Sequence, residues 1–158
     1  MMRSDARPLA GPPIGSAWQP PRPGHPRPQN AGTISLAPLP TSPGWARQYA
    51  RFFLDSCRGL SEDVAETAVL LVSELVTNAV QFTRGADASP ISLSIRHFHD
   101  GLLIEVHDAS GNPPVRTDAH QYAEGGRGLT IIDALSKEWS WFFPPGGGKV
   151  VYCFVDKG

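Results

Sequence analysis

Cysteine is scarce in this chain. There are two in 158 residues, Cys57 and Cys153, far apart and without metal-ligand spacing. That excludes a disulfide scaffold and a thiolate zinc site, and fits free, buried thiols in a reducing cytoplasm. Excess charge of either sign is also missing: the net charge is −1 and charged residues make up 18%. A basic footprint for nucleic acid or for an anionic membrane is therefore not expected. No apolar run approaches the ~18 residues of a membrane helix. The N-terminus, "MMRSDARPLAGPP", lacks the apolar stretch of a secretory signal.

Proline is not scarce, but it is unevenly placed. Eleven of the 16 prolines fall in the first 43 residues. "PPIGSAWQPPRPGHPRPQN" has almost no apolar periodicity and cannot supply a core. Residues 1–32 are accordingly expected to form a disordered, proline-rich tail, and 33–158 one globular domain. Hydrophobic residues make up 41% of the chain, enough for a sizeable core.

Within that domain "TISLAPL" reads as a short strand. "TSPGWARQYARFFLDSC" reads as a helix capped by Ser42, with Pro43 in its first turn. Trp45, Tyr49, Phe52 and Phe53 recur at helical spacing and are expected to pack into the core. Ser61 is placed to cap the next helix, with Glu62 and Asp63 suiting its positive end. "SPISLSIRHFHDGLLIEVHDASG" reads as two strands joined at Asp100-Gly101. "RGLTIIDALSKEW" reads as a short helix and "WSWFFPPGGGKVVYCFV" as a hairpin. The order implies an α/β (α+β) two-layer sandwich, with helices on one face of a mixed, largely antiparallel sheet.

Three places carry polar residues where a fold alone does not ask for them. The first is "LLVSELVTNAVQFTRG". With 100° per residue and Glu74 at zero, Leu71, Leu75, Ala68, Val72 and Ala79 fall between about 60° and 160°. Asn78 falls at about 40°, Thr67 at about 20° and Gln81 at about −20°. A polar strip thus borders the apolar stripe. Its carboxylate and amide, four residues apart, are neighbours that suit a hard cation or a positioned nucleophile. An ordinary solvent-facing boundary would give the same strip.

The second is Asp108, which continues the parity of Leu102, Ile104 and Val106. A carboxylate on that face is costly unless something answers it, as at the floor of a pocket. A turn residue displaced by a bulge is the alternative. The third is "EGGRGL". Gly125, Gly126 and Gly128 lead into a helix starting near Leu129, and Arg127 adds a cation. Free N–H groups at such a junction suit phosphate. The spacing matches neither the P-loop nor the dinucleotide fingerprint.

Taken in order, "SELVTNAV", "VHDASGNPP", "EGGRGLTIIDAL" and "GGGKVVYCFV" resemble the GHKL ATPase superfamily of gyrase-like, chaperone and histidine-kinase ATP-binding domains. Within it the chain is similar to small anti-sigma-factor serine kinases and related regulatory ATP-binding proteins of actinobacterial type. The resemblance spans about residues 33 to 155. It implies that Glu74 acts as general base or orients the attacking group, that Asn78 holds Mg²⁺ and that Asp108 accepts from the adenine amino group. It also implies that Gly126 and Gly128 shape the lid over the phosphates. The implied nucleotide-contacting set further takes in Gly111, Gly125, Arg127 and Leu129. The implied cofactors are ATP and Mg²⁺. The implied activity is transfer of the γ-phosphate to a serine or threonine of a protein partner, an anti-sigma-factor antagonist or a sigma factor. A nucleotide-dependent binder with little transfer activity is the alternative, and a homodimer is compatible with either. Two departures stand out. In "DASGN", Ser110 and Asn112 replace the glycines of the usual first box, and Phe82 stands where relatives often carry histidine.

Overall fold

The computed structural model describes residues 26–83, 89–114 and 128–158. Five strands and three helices follow in the order β1 (Asn30–Leu36), α1 (Ser42–Asp55), α2 (Glu62–Thr83), β2 (Ile91–Phe98), β3 (Gly101–Asp108), α3 (Gly128–Leu135), β4 (Glu138–Phe142) and β5 (Lys149–Asp156). The strands form one sheet in the order β1-β2-β3-β5-β4. Every described pairing is antiparallel, so the expected mixture narrows to a purely antiparallel sheet. β1 starts at Asn30, inside the segment assigned above to the tail.

Alternation decides which face is covered. Ile91, Leu93 and Ile95 on β2, Leu102, Ile104 and Val106 on β3, and Val151, Cys153 and Val155 on β5 are all buried in one cluster. Ile95 lies opposite Ile104, and Ile104 opposite Cys153, so the three strands present one apolar surface. Leu71, Val72, Leu75, Val76 and Ala79 of α2 join it, which makes the 22-residue α2 the central helix of the second layer. Burial of these aliphatic side chains, each contributing roughly 1.5–3 kcal/mol, holds α2 over β3 and β5. The N-terminus of α2 is capped as expected: the Ser61 hydroxyl accepts the Val64 N–H at 3.2 Å.

α1 departs from expectation twice. It starts at Ser42 with Thr41 in the cap position, and Ser42 instead donates its hydroxyl to the Ala37 carbonyl. Its buried stripe is Ala46, Ala50, Phe53 and Leu54, while Trp45 is 61% and Phe52 78% exposed. The two alanines have no exposed surface. Their small side chains let α1 lie close to its neighbours, and this turns Trp45 and Phe52 outward. Only Phe53 and, in part, Tyr49 fulfil the expected aromatic packing.

The β2–β3 turn is also shifted by one residue. Phe98 pairs with Gly101, so the turn is His99-Asp100, and neither residue has positive φ. Gly101 is needed for another reason: a Cβ there would strike the Val155 carbonyl and the Phe154 ring. The glycine lets β3 pass close to β5 rather than making the turn.

Opposite outcomes are expected for two α1 substitutions. Ala50→Leu overpacks a closed contact and should cost about 1–3 kcal/mol, whereas Phe52→Ser should change stability by less than about 0.5 kcal/mol. Urea denaturation of both variants checks this. A larger loss for Phe52→Ser would restore the aromatic face to the core.

Candidate functional site

The core face of the sheet does not stay apolar to its end. Asp108 extends the buried row of β3, and Lys149 extends that of β5. The two are directly opposed in the register, so both side chains leave the sheet on the helix side. Asp108 is 2% exposed and Lys149 not at all. Lys149 Nζ lies 3.5 Å from Asp108 Oδ2. It also sits 4.3 Å from the centroid of the Phe82 ring, in the last turn of α2. Three elements therefore meet around one ammonium group.

The loops on either side are built to hold this meeting. After β3 the chain turns back on itself: the Ser110 N–H donates to Asp108 Oδ1 at 2.7 Å, and the Asn112 N–H to Ser110 Oγ at 3.1 Å. The two residues that replace the usual glycines thus form a hydrogen-bonded turn of their own. Gly111, between them, is exposed and has ordinary backbone geometry, with nothing near its Cβ position. Before β5, Gly148 has φ +76°. A Cβ there would run into the Asp108 carbonyl, and the Gly147 carbonyl accepts from His107 Nε2 at 2.9 Å. The glycine turn is pressed against the end of β3, and this fixes where Lys149 enters the core.

Burial pushes the Asp108 carboxyl above the usual carboxylate range, against the pull of Lys149 and of the Ser110 N–H. Burial likewise draws the Lys149 ammonium below its ordinary value, against the pull of Asp108. Each charge is tolerated because the other is present.

One turn before Phe82 on α2 stands Asn78. It is 7% exposed, and its Oδ1 has no hydrogen-bond partner among the described residues. A solvent-facing boundary does not explain a buried amide oxygen left open. One turn earlier again, Glu74 is half-buried, and burial raises its carboxyl above the ordinary value while Arg47 opposes the rise. Arg47 comes from α1 and donates to Ser73 Oγ at 2.9 Å, which holds a guanidinium beside this end of the strip. Of the other strip residues, Thr67 is half-buried and Gln81 exposed.

The glycine box ends where α3 begins, at Gly128. Leu129 lies in the first turn of α3, with its side chain outside the described residues, as are Gly125, Gly126 and Arg127 entirely. Ile132, with no exposed surface, anchors α3 to the core, and Trp139 Nε1 donates to Asp133 Oδ1 at 3.1 Å to tie α3 to β4. Helix α3 is thereby held against α2, with its N-terminus at the end of the glycine box.

Sequence reasoning passed over Lys149 and Arg47. The signal for Lys149 was present: it shares the parity of Val151, Cys153 and Val155 and lies opposite an acid already placed on the core face. Arg47 gives no comparable signal, because only the packing of α1 on α2 brings it beside Glu74.

A buried pair fails differently when one partner or both are removed. Lys149→Met strands the Asp108 charge and should cost about 3 kcal/mol near pH 7. Stranded, Asp108 has a folded-state pKa above its unfolded one, so stability is retained at low pH and lost as pH rises through the folded value. The loss should therefore shrink near pH 5. The double change Asp108→Asn with Lys149→Met should recover most of it. Urea denaturation at the two pH values checks both points, and a double variant no more stable than the single one would contradict them.

The chain matches the family model of the histidine kinase-like ATPase domain over residues 36–153. No curated protein matches it. The match runs from the last residue of β1 into β5, and so takes in α2, Asp108, the glycine box and the glycine turn. An antiparallel sheet covered by helices on one face agrees with this match over most of its length: the chain belongs to the histidine kinase-like ATPase domain family.

Proposed function

We propose that the protein binds Mg²⁺-ATP at the end of the sheet beneath α2 and transfers the γ-phosphate to a serine or threonine of a regulatory protein partner, as an anti-sigma-factor-type kinase does. The observation that carries this is Asn78. A buried amide oxygen without a partner costs about 1–3 kcal/mol, and a hard cation is the ligand that an oxygen of this kind satisfies. Among the described residues no group of three His, Cys, Asp or Glu side chains gathers around a metal position. That suits a cation held by few protein atoms, with phosphate and water supplying the rest.

The proposed roles follow from the environments. Asp108, ionised by its partner, offers its carboxylate to the amino group of the base. Gly126 and Gly128 present backbone N–H groups to the phosphates at the start of α3, with Gly125, Arg127 and Leu129 beside them. Asn78 holds Mg²⁺, which when bound neutralises phosphate charge. Glu74 accepts the proton of the attacking hydroxyl as the new O–P bond forms and ADP departs with the electrons of the old one. Burial raises the affinity of Glu74 for that proton, while Arg47 keeps the carboxylate ionised beforehand.

A second function, nucleotide-dependent binding without transfer, is favoured by one observation. Asp108 Oδ1 already accepts from the Ser110 N–H, and Oδ2 is ion-paired with Lys149 Nζ at 3.5 Å. A site so engaged takes its nucleotide weakly. In either case the partner is a protein, and α1 with its outward Trp45 and Phe52 offers it apolar surface.

Two alanine substitutions separate these functions. Glu74→Ala should keep Mg²⁺-ATP binding within several-fold but lower transfer about 10²–10⁴-fold, because a general base acts in the transition state. Asn78→Ala should weaken binding in the presence of Mg²⁺ and leave the Mg²⁺-free titration unchanged. Nucleotide titration with and without Mg²⁺, alongside transfer to a co-purified partner, checks both. Binding without any transfer that depends on Glu74 would leave the binder standing and remove the kinase.

A further inference from the structure

Lys149 enters the roles just assigned only as the partner of Asp108, yet it is the most deeply buried charged side chain among the described residues. Its ammonium does not merely neighbour the acceptor of Asp108. It is ion-paired with it, 3.5 Å from Oδ2 but without a hydrogen bond, while the Ser110 N–H donates to Oδ1. The Phe82 ring covers it from α2. Nor can the lysine easily swing aside, because the Gly147-Gly148 turn is pressed against Asp108 and His107 and pins the start of β5.

We propose that Lys149 is a specificity-determining residue of the base pocket, a built-in competitor that already holds the carboxylate oxygen an aminopurine would use. This rests on the assignment of Asp108 to the base. An incoming amino group brings a neutral donor to an oxygen already ion-paired with a cation. Accepting that donor means loosening a pair of buried charges, and a buried charge left uncompensated is costly, so the exchange favours the lysine. The amino group must also approach an ammonium group, donor against donor. A purine that carries an oxygen in place of the amino group meets the reverse situation, since the Lys149 ammonium is a donor to that oxygen. Lys149 therefore lowers the affinity for ATP and narrows its advantage over the 6-oxo nucleotide ITP. Discrimination between the two depends on which groups are left unpaired, and here the unpaired group is changed by a residue that need not touch the phosphates.

The test is calorimetric titration of the full chain with Mg²⁺-ATP and Mg²⁺-ITP, in wild type and Lys149→Met. Lys149→Met should bind ATP about tenfold more tightly and ITP no more tightly, so the ATP-to-ITP preference rises by about the same factor. A lysine that only held Asp108 in place would give the opposite sign for ATP. Lys149→Gln, which keeps a neutral amide and most of the stem, gives the same ratio if the Met variant does not fold. An unchanged or lowered preference in the folded variants overturns the proposal while leaving nucleotide binding intact. If wild type and both folded variants bind neither nucleotide, the base-site assignment fails and this proposal fails with it.

Discussion

A lysine and an aspartate buried face to face at the end of an antiparallel sheet set the terms for this molecule. Neither charge is tolerable alone at that depth. Their opposition follows from the β3–β5 register, which places Asp108 directly across from Lys149. The register in turn depends on a glycine turn closing tightly onto the end of β3, where Gly148 leaves no room for a Cβ. α2 must then end over the pair, with Phe82 above the ammonium. Once α2 is placed in this way, Asn78 and Glu74 follow at successive turns toward its N-terminus. The candidate site is thus a consequence of how one buried charge is answered.

Much of this was legible in the sequence, for stated reasons. Alternation along "LLIEVHD" placed Asp108 on the core face, and it is there. Helical spacing placed Asn78 beside the apolar stripe, and the fold closes over it. The two layers and the Ser61 cap were legible too, the cap from a short-range signal, whereas a mixed sheet was expected and every described pairing is antiparallel. What was not legible depends on close approach between elements. Trp45 and Phe52 have helical spacing, but Ala46 and Ala50 let α1 come closer with their own face, so the large rings turn outward. The glycine of "DG" suggests a turn residue, whereas Gly101 serves the passage of β3 beside β5. The departures in "DASGN" gave no hint that Ser110 and Asn112 would form a turn holding Asp108. Lys149 was overlooked because a lysine after three glycines looks like part of a solvated turn, although its parity is that of the core.

Membership of the histidine kinase-like ATPase domain family points to ATP binding. The family supplies a place for a nucleotide. This chain's own residues determine how open that place is. An open amide oxygen on Asn78 favours a cation at the phosphate end. A carboxylate already engaged at the base end works against the nucleotide.

The central claim is that the buried pair lies in the nucleotide site, and the chain suits a direct measurement of it. It has three lysines, Lys137, Lys149 and Lys157. Lys137 and Lys157 stand at or near the surface, so the side-chain nitrogen signal of Lys149 can be singled out in protein labelled with nitrogen-15 at lysine. Observed by NMR during a titration with Mg²⁺-ATP, the Lys149 signal should shift saturably, together with the carboxyl carbon of Asp108, while Lys137 and Lys157 stay still. Nucleotide binding that leaves both Lys149 and Asp108 unmoved would place the site elsewhere and contradict the account.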